Sequence, residues 1–209
     1  MNSDFLRESC VENLFEAKMA EKNGANVIEL CSKLEFDGLT PDKSVIKHCQ
    51  SELNSPIKVM IRPRKGDFEY SAKELDVIKS QIEYCLNHGI HNIVFGAIKN
   101  GKLDLKTISE VSEFSKKLNI TVHKAIDYSS DILDDVENLK NVENVTSILS
   151  SGQQKTAFEG VECLLKMKKS CGKRINLIPA GKITANNVDQ LHEILGLRHY
   201  HGRKIVSLK

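Results

Sequence analysis

Tryptophan is absent from this 209-residue chain, and aromatic residues of all kinds make up 5% of it. With few rings to stack on bases, and 30 Lys and Arg balanced by 28 Asp and Glu without a basic tail, nucleic acid is not an expected partner. No stretch approaches the roughly 18 apolar residues that a membrane span needs. The opening MNSDFLRESC also lacks the basic start and apolar centre of a secretory signal, so a soluble, cytoplasmic protein with no membrane partner is expected. The six cysteines, at 10, 31, 49, 85, 163 and 171, form no CxxC pair and are too scattered for a zinc ribbon or a disulfide framework. Reduced thiols follow. There is no GxGxxG, no P-loop, no low-complexity segment, no obvious repeat and no interdomain linker.

What the chain does have is alternation. Short apolar runs at 5–11, 26–31, 57–63, 92–98, 120–126, 146–151, 175–180 and 199–206 read as strands. Amphipathic patterns between them, at 14–22, 43–53, 105–118, 131–139, 157–170 and 186–195, read as helices. A further helix begins after Ser71, where Glu74 completes a capping box, and stops at Gly89. Strands alternating with helices over a chain able to bury one core predict a single α/β domain spanning 1–209, a parallel eight-stranded (β/α)₈ barrel.

Barrel enzymes keep their chemistry at the C-terminal ends of the strands, with Val, Ile and Leu filling the rest of the interior. The first strand ends Glu8-Ser9-Cys10 and the second Glu29-Leu30-Cys31. Acid and thiol share a face on each, and with neighbouring strands roughly 4.8 Å apart the two pairs are expected to face each other. The third strand supplies Arg62 and Arg64, two residues apart and so aimed the same way, a paired fork for a carboxylate or phosphate. His123 and Asp127 end the fifth strand, Ser150 to Gly152 the sixth, and His199 and His201 belong to the eighth. The turns Ser151-Gly152 and Ala180-Gly181 are candidates for holding an anion. The competing reading is structural: Glu8 and Glu29 paired to Arg62 and Arg64, and Cys10 and Cys31 buried as small residues.

These pieces carry a resemblance. The E-x-C at Glu8 and Cys10, NGANVIELC at 23–31, DGLTP at 37–41, MIRPRKGDFEYS at 60–71 and FGAI at 95–98 are followed by VHKAID at 122–127, LSSGQQKTAFEG at 149–160, PAGKIT at 179–184 and YHG at 200–202. In that order, and over most of the chain, they resemble the CutC copper-homeostasis family. The resemblance implies a TIM barrel and ties the function to copper. Cu(I) favours thiolate and thioether ligands, so Cys10 and Cys31, with Met60 on an adjacent strand, are the implied soft donors. The chain departs from the family pattern at Asp37, Lys124, Ile126, Ile183 and Arg203, and His199 stands where the family carries a glutamate two residues before its histidine. Relatives also continue past a point equivalent to Lys209. The last outer helix is therefore expected to be missing or truncated, and the uncovered seam to favour a homo-oligomer, a dimer.

A cytoplasmic copper-binding barrel with Cys10 and Cys31 on Cu(I) is the leading expectation. The alternative is a lyase- or isomerase-type enzyme for a small anionic metabolite. There Arg62, Arg64, Ser151, Gly152 and Gly181 hold the anion, Glu8 or Glu29 is the base, and His123, oriented by Asp127, is the acid, with His201 beside them. A third reading is a barrel that binds such an anion without turning it over.

Overall fold

The structure, a computed structural model, describes residues 4–208. Strands β1 (Leu6–Val11), β2 (Val27–Leu30), β3 (Ile57–Met60) and β4 (Asn92–Phe95) precede a short antiparallel hairpin, β5 (Ile98–Lys99) with β6 (Lys102–Leu103). Then come β7 (Asn119–Val122), β8 (Val145–Ser150), β9 (Asn176–Pro179) and β10 (His199–His201). The helices are α1 (Leu14–Lys22), α2 (Lys43–Glu52), α3 (Ala72–Asn87), α4 (Leu105–Glu113), α5 (Ile132–Leu139), α6 (Val161–Cys171) and α7 (Val188–Leu195). Eight strands pair in parallel in the order β10-β1-β2-β3-β4-β7-β8-β9, the (β/α)₈ barrel the alternation predicts. Among the described residues seven outer helices occur and none follows β10. The barrel is nearly closed. Between β9 and β10 no ladder forms among the described residues, and the seam is spanned by Asn176 Nδ2 and His199 Nδ1 at 3.4 Å.

Local signals account for the elements. Ser71 accepts the Glu74 N–H while the Glu74 carboxylate accepts the Ser71 N–H at 2.7 Å, the capping box that starts α3. Gly196, at φ 52°, ends α7 in a left-handed turn. Strand ends differ from expectation at the C-terminal rim. The run at 57–63 leaves the sheet after Met60, because Arg62 bonds to Thr40 in place of β4: its N–H goes to the Thr40 side-chain Oγ1 at 2.8 Å and its carbonyl accepts Thr40 N–H at 2.9 Å. The run at 120–126 stops at Val122 and turns at Lys124–Tyr128 into a 3-10 helix. The run at 92–98 breaks after Phe95, and the one at 199–206 ends at His201. Apolar β-rich sequence says where a strand fits, not where its ladder partner stops.

The apolar layer lies between strands and helices. Ile28, Val59, Ile93, Ile120 and Ile148 join helix residues such as Ala17, Ile46, Ile82 and Leu164 in one continuous cluster. Among the described residues two small apolar groups stand apart from this layer, Cys10, Cys31, Met60 and Val94 in one and Leu149, Ile178 and Ala180 in the other. The expected Val, Ile and Leu filling is therefore corrected: the floor is polar, built from Glu8, Glu29, Lys58, His199 and His201.

Candidate functional site

Register decides which side chains meet on that floor. β1 and β2 pair with Cys10 opposite Glu29, not Glu8 opposite Glu29, and β2 and β3 with Glu29 opposite Lys58. The stagger needed to close a barrel shifts neighbouring strands along each other. The expectation of two E-x-C pairs facing each other is corrected to a diagonal arrangement. β10 places His201 opposite Glu8.

Glu8 is fully buried and ringed by nitrogen atoms. Lys58 Nζ lies 2.6 Å and His199 Nε2 3.1 Å from its Oε2, and His201 Nδ1 lies 2.9 Å from its Oε1. Burial alone would raise this carboxyl, but Lys58 and the two imidazoles outweigh burial and hold it well below the usual range. The structural reading in which Arg62 and Arg64 neutralise Glu8 and Glu29 is thereby corrected. Lys58 does so for Glu8, and its inward position in β3 was not singled out in the sequence. Its parity with Met60 and Arg62 was the available signal.

Glu29 is in a different state. Its Oε2 is 3.7 Å from His201 Nδ1, its Oε1 accepts the Cys31 thiol at 3.1 Å, and it lines the central cavity. Burial raises its pKa, His201 offsets part of that, and the Glu8 charge adds to it. His201 is lowered by burial but raised more by Glu29, Cys10 and Glu8, and so lies well above an ordinary imidazole. Two carboxylates on one floor are thus pushed apart, one held ionised and one made basic, as an acid–base pair requires.

Arg62 and Arg64 part company. Arg62 is 4% exposed, donates from Nη1 to the carbonyls of Phe36 and Gly38 at 2.8 and 3.3 Å and from Nη2 to Gly66 at 2.8 Å, and lies over the Phe68 ring. Among the described residues it has no carboxylate partner, and its Nε has no acceptor. Arg64 points away from the cavity, pairing with Glu74 and, at 2.8 Å, with Asp67. The expected fork is corrected: β3 has ended before either residue, so the two-residue period no longer aligns them.

His123 lines the same cavity, but Asp127 does not orient it. The ring accepts the Ala125 N–H on Nδ1 at 3.1 Å and packs 4.9 Å from Phe68. Gly96 makes room, since a Cβ there would stand 2.8 Å from Nδ1. Burial, aided by the Arg62 charge, lowers its pKa to about 3, so the ring is neutral and carries its proton on Nε2, which has no partner among the described residues. The expectation of His123 as an acid oriented by Asp127 is corrected: the structure instead holds a neutral ring by the Ala125 N–H. Asp127 serves the loop after β8. Its Oδ1 accepts from Ser150 Oγ at 2.5 Å and Gln153 N–H at 3.1 Å, and its Oδ2 from Ser151 N–H and Oγ, both at 2.9 Å. The anion that Ser151 and its loop hold is this internal carboxylate, which corrects both the loop's expected ligand and the catalytic part given to Asp127. Gly152 is demanded by packing, because at φ 68° a Cβ would stand 2.4 Å from the Gly160 carbonyl. Gly181 lines the cavity, and its carbonyl accepts the Ala157 N–H at 3.0 Å.

The cavity has a volume of about 930 Å³ and opens at the C-terminal ends of the strands. Lys124, Lys155, Lys182 and Lys204 stand around it with no carboxylate partner among the described residues, while Arg203 is 3.1 Å from Glu12. Sequence reading marked Lys124 as a departure from the family pattern and passed over the other three, which come from separate loops.

Two donor sets exist for metals. Cys10, Cys31 and Met60 share one buried cluster, a soft set of the kind Cu(I) takes. Burial and the neighbouring Glu29 push the Cys31 thiol well above its ordinary value, so binding there must displace a proton. Glu8, Glu29 and His201 offer ligand atoms within 4.8 Å of one another, yet Lys58 already supplies the cation at Glu8.

Comparison with known proteins places this arrangement. The match to the CutC family runs over residues 5–206. The chain belongs to the CutC family. It is 34% identical over 198 residues to the human copper homeostasis protein cutC homolog, covering 94% of this chain and 72% of the relative. The family protein CutC of Xanthomonas campestris pv. campestris strain 8004 is 33% identical over 198 residues, covering 93% and 81%. The crystal structure of CutC from Streptococcus agalactiae superposes with a TM-score of 0.91 at 27% identity, covering 97% of this chain and all of that one. In this CutC chain, His199 stands 3.1 Å from Glu8, so the position the sequence comparison marked as a departure lies within the floor itself.

Proposed function

We propose that this CutC barrel binds a small anionic metabolite and moves a proton on it. The observation that carries the reading is Arg62: a buried guanidinium, satisfied only by neutral carbonyls, lines a cavity of about 930 Å³. An unneutralised buried cation is costly unless an anion completes it. Below it the floor supplies the chemistry. Glu29, made more basic by burial, is the proton acceptor, and His201 and Glu8 hold the compensating charge. A thermal-shift screen of small carboxylates and phosphates should find an anion whose stabilisation disappears in Arg62→Ala. Glu29→Gln should keep that binding and lose deuterium exchange from solvent into the bound compound. Binding without exchange in the native chain favours the binding-only barrel, and the absence of any stabilising anion removes the proposal.

Copper is the second reading, favoured by the grouping of Cys10, Cys31 and Met60 in one buried cluster and by the name of the human relative. Two thiols and a thioether suffice for a single Cu(I), which leaves Arg62 and the rest of the cavity without a task. Competition with a chromophoric Cu(I) chelator should give one tight site, lost when Cys10 and Cys31 are both replaced by serine. Affinity retained in that variant sinks the copper reading.

A further inference from the structure

The cavity is not uniform, and its two sides present different chemistry. On one side the His123 ring is locked by the Ala125 N–H on Nδ1 and seated against Gly96, leaving a neutral Nε2–H without a partner among the described residues. The Phe68 ring touches both this ring and the Arg62 guanidinium, and all three line the cavity. A neutral N–H donor beside a guanidinium suits an oxygen that gains negative charge, and being already in place it costs no reorganisation. On the other side three loops, after β8, β9 and β10, bring Lys155, Lys182 and Lys204 to one rim, where none of them has a carboxylate partner among the described residues. The same loop cluster is where barrels hold phosphate. The Ser151 loop itself is closed to a ligand because Asp127 fills it, so the lysines are the free cations there.

We propose that the ligand is a phosphorylated small molecule with a carbonyl group, its phosphate on the Lys155–Lys182–Lys204 rim and its carbonyl oxygen on His123 Nε2–H and Arg62. This rests on the anion-binding reading above and gives it a reaction class. The C–H bond next to the carbonyl breaks, its electron pair becomes the C=C bond of an enolate, the carbonyl oxygen takes the negative charge, and the proton passes to Glu29. Return of a proton to the opposite face of the same carbon completes an epimerisation. Where that carbon bears a hydroxyl, its O–H proton moves to the carbonyl oxygen, and return of the carbon-bound proton to the former carbonyl carbon completes an aldose–ketose-type isomerisation, with no other reactant. His123 would then be a catalytic residue acting as a hydrogen-bond donor.

The test uses 2-phosphoglycolate, whose carboxylate imitates the enolate oxygens, with glycolate and inorganic phosphate as its two halves, in calorimetric titrations of the full chain. Phosphoglycolate should bind at least tenfold more tightly than either half. The double variant Lys182→Ala/Lys204→Ala should lose at least tenfold toward phosphoglycolate and phosphate and little toward glycolate. His123→Ala should lose about tenfold toward phosphoglycolate and nothing toward phosphate, the worth of one hydrogen bond. Should His123→Ala misfold, the imidazole N–H spectrum of the native chain answers the same question: phosphoglycolate should shift the His123 Nε2–H signal with Nδ1 still unprotonated, and no shift overturns the assignment. Glycolate binding as tightly as phosphoglycolate overturns the phosphate rim but leaves the Arg62 reading standing. No binding of any of the three, with no hit in the wider anion screen, removes both.

Discussion

His123 illustrates how one buried side chain ties site chemistry to stability. Its folded pKa of about 3 lies below the roughly 6.5 of an unfolded histidine. Between those values the unfolded chain binds a proton that the folded chain refuses, so this group's contribution is complete above about pH 6.5 and is lost as pH falls toward 3. Denaturant melts at pH 6 and pH 4 should therefore show His123→Gln losing less stability than the native chain, by about 1.4 kcal/mol for each pH unit. Parallel curves for the two proteins contradict the buried neutral ring. Lys58 makes a second prediction. Lys58→Met leaves Glu8 buried with only its imidazole partners and should destabilise by about 3 kcal/mol in urea melts, as breaking a buried pair does. A loss below about 1 kcal/mol means that the histidines alone neutralise Glu8. Neither residue's environment was readable locally. His123 stood out as polar at a strand end, but its surroundings come from Gly96 and Phe68, which it packs against, and from the charge of Arg62, on three other segments.

The loop after β8 is the element whose role changed most. Its Ser-Ser-Gly sequence has the small residues and backbone N–H groups of an anion-binding turn, and it does bind an anion, the carboxylate of Asp127 from the segment after β7. Charge-assisted bonds of this kind are about twice as strong as neutral ones. Asp127→Asn keeps the shape, removes the charge and leaves one acceptor oxygen as a donor. We expect a loss of about 1–3 kcal/mol and faster amide exchange at Ser151 and Gln153 than at strand residues such as Ile148. Unchanged protection at those two amides means the loop holds without the carboxylate. Strand ends followed the same logic: the apolar runs located all eight strands, while the residues beyond Met60 and Val122 were misread as strand because their backbone partners, Thr40 for Arg62 and the 3-10 turn for Lys124, lie outside the pattern.

At the scale of the molecule the seam between β9 and β10 is the weak point of the barrel. Every other neighbouring pair shares a hydrogen-bonded ladder, whereas this pair is joined by the Asn176–His199 contact and the isolated bridge between Thr184 and Lys204. β10 also lacks a following helix among the described residues. Local opening free energy falls where ladder bonds and covering apolar contacts are few, so native-state hydrogen exchange should report lower opening energies at His199–His201 than at β4, whose ladders run on both sides. Equal protection around the barrel contradicts a weak seam. This has a functional side, because His199 and His201 on that edge strand hold Glu8.

The alternation of apolar runs and amphipathic helices determined the barrel by itself, because burial on both faces of a parallel strand and on one face of a helix leaves a periodic mark in the sequence. The same pattern singled out the polar residues at and beyond the strand ends, Glu8, Glu29, Arg62, His123 and His201 among them, although β3 and β7 stop earlier than it suggested. Which of these meet was decided only by the tertiary structure. Strand stagger set Cys10 beside Glu29, the early end of β3 sent Arg64 to Glu74 and left Arg62 alone in the cavity, and loop closure gave Asp127 to Ser151 and not to His123. Register and loop partners join residues far apart in the chain, and no local period records them.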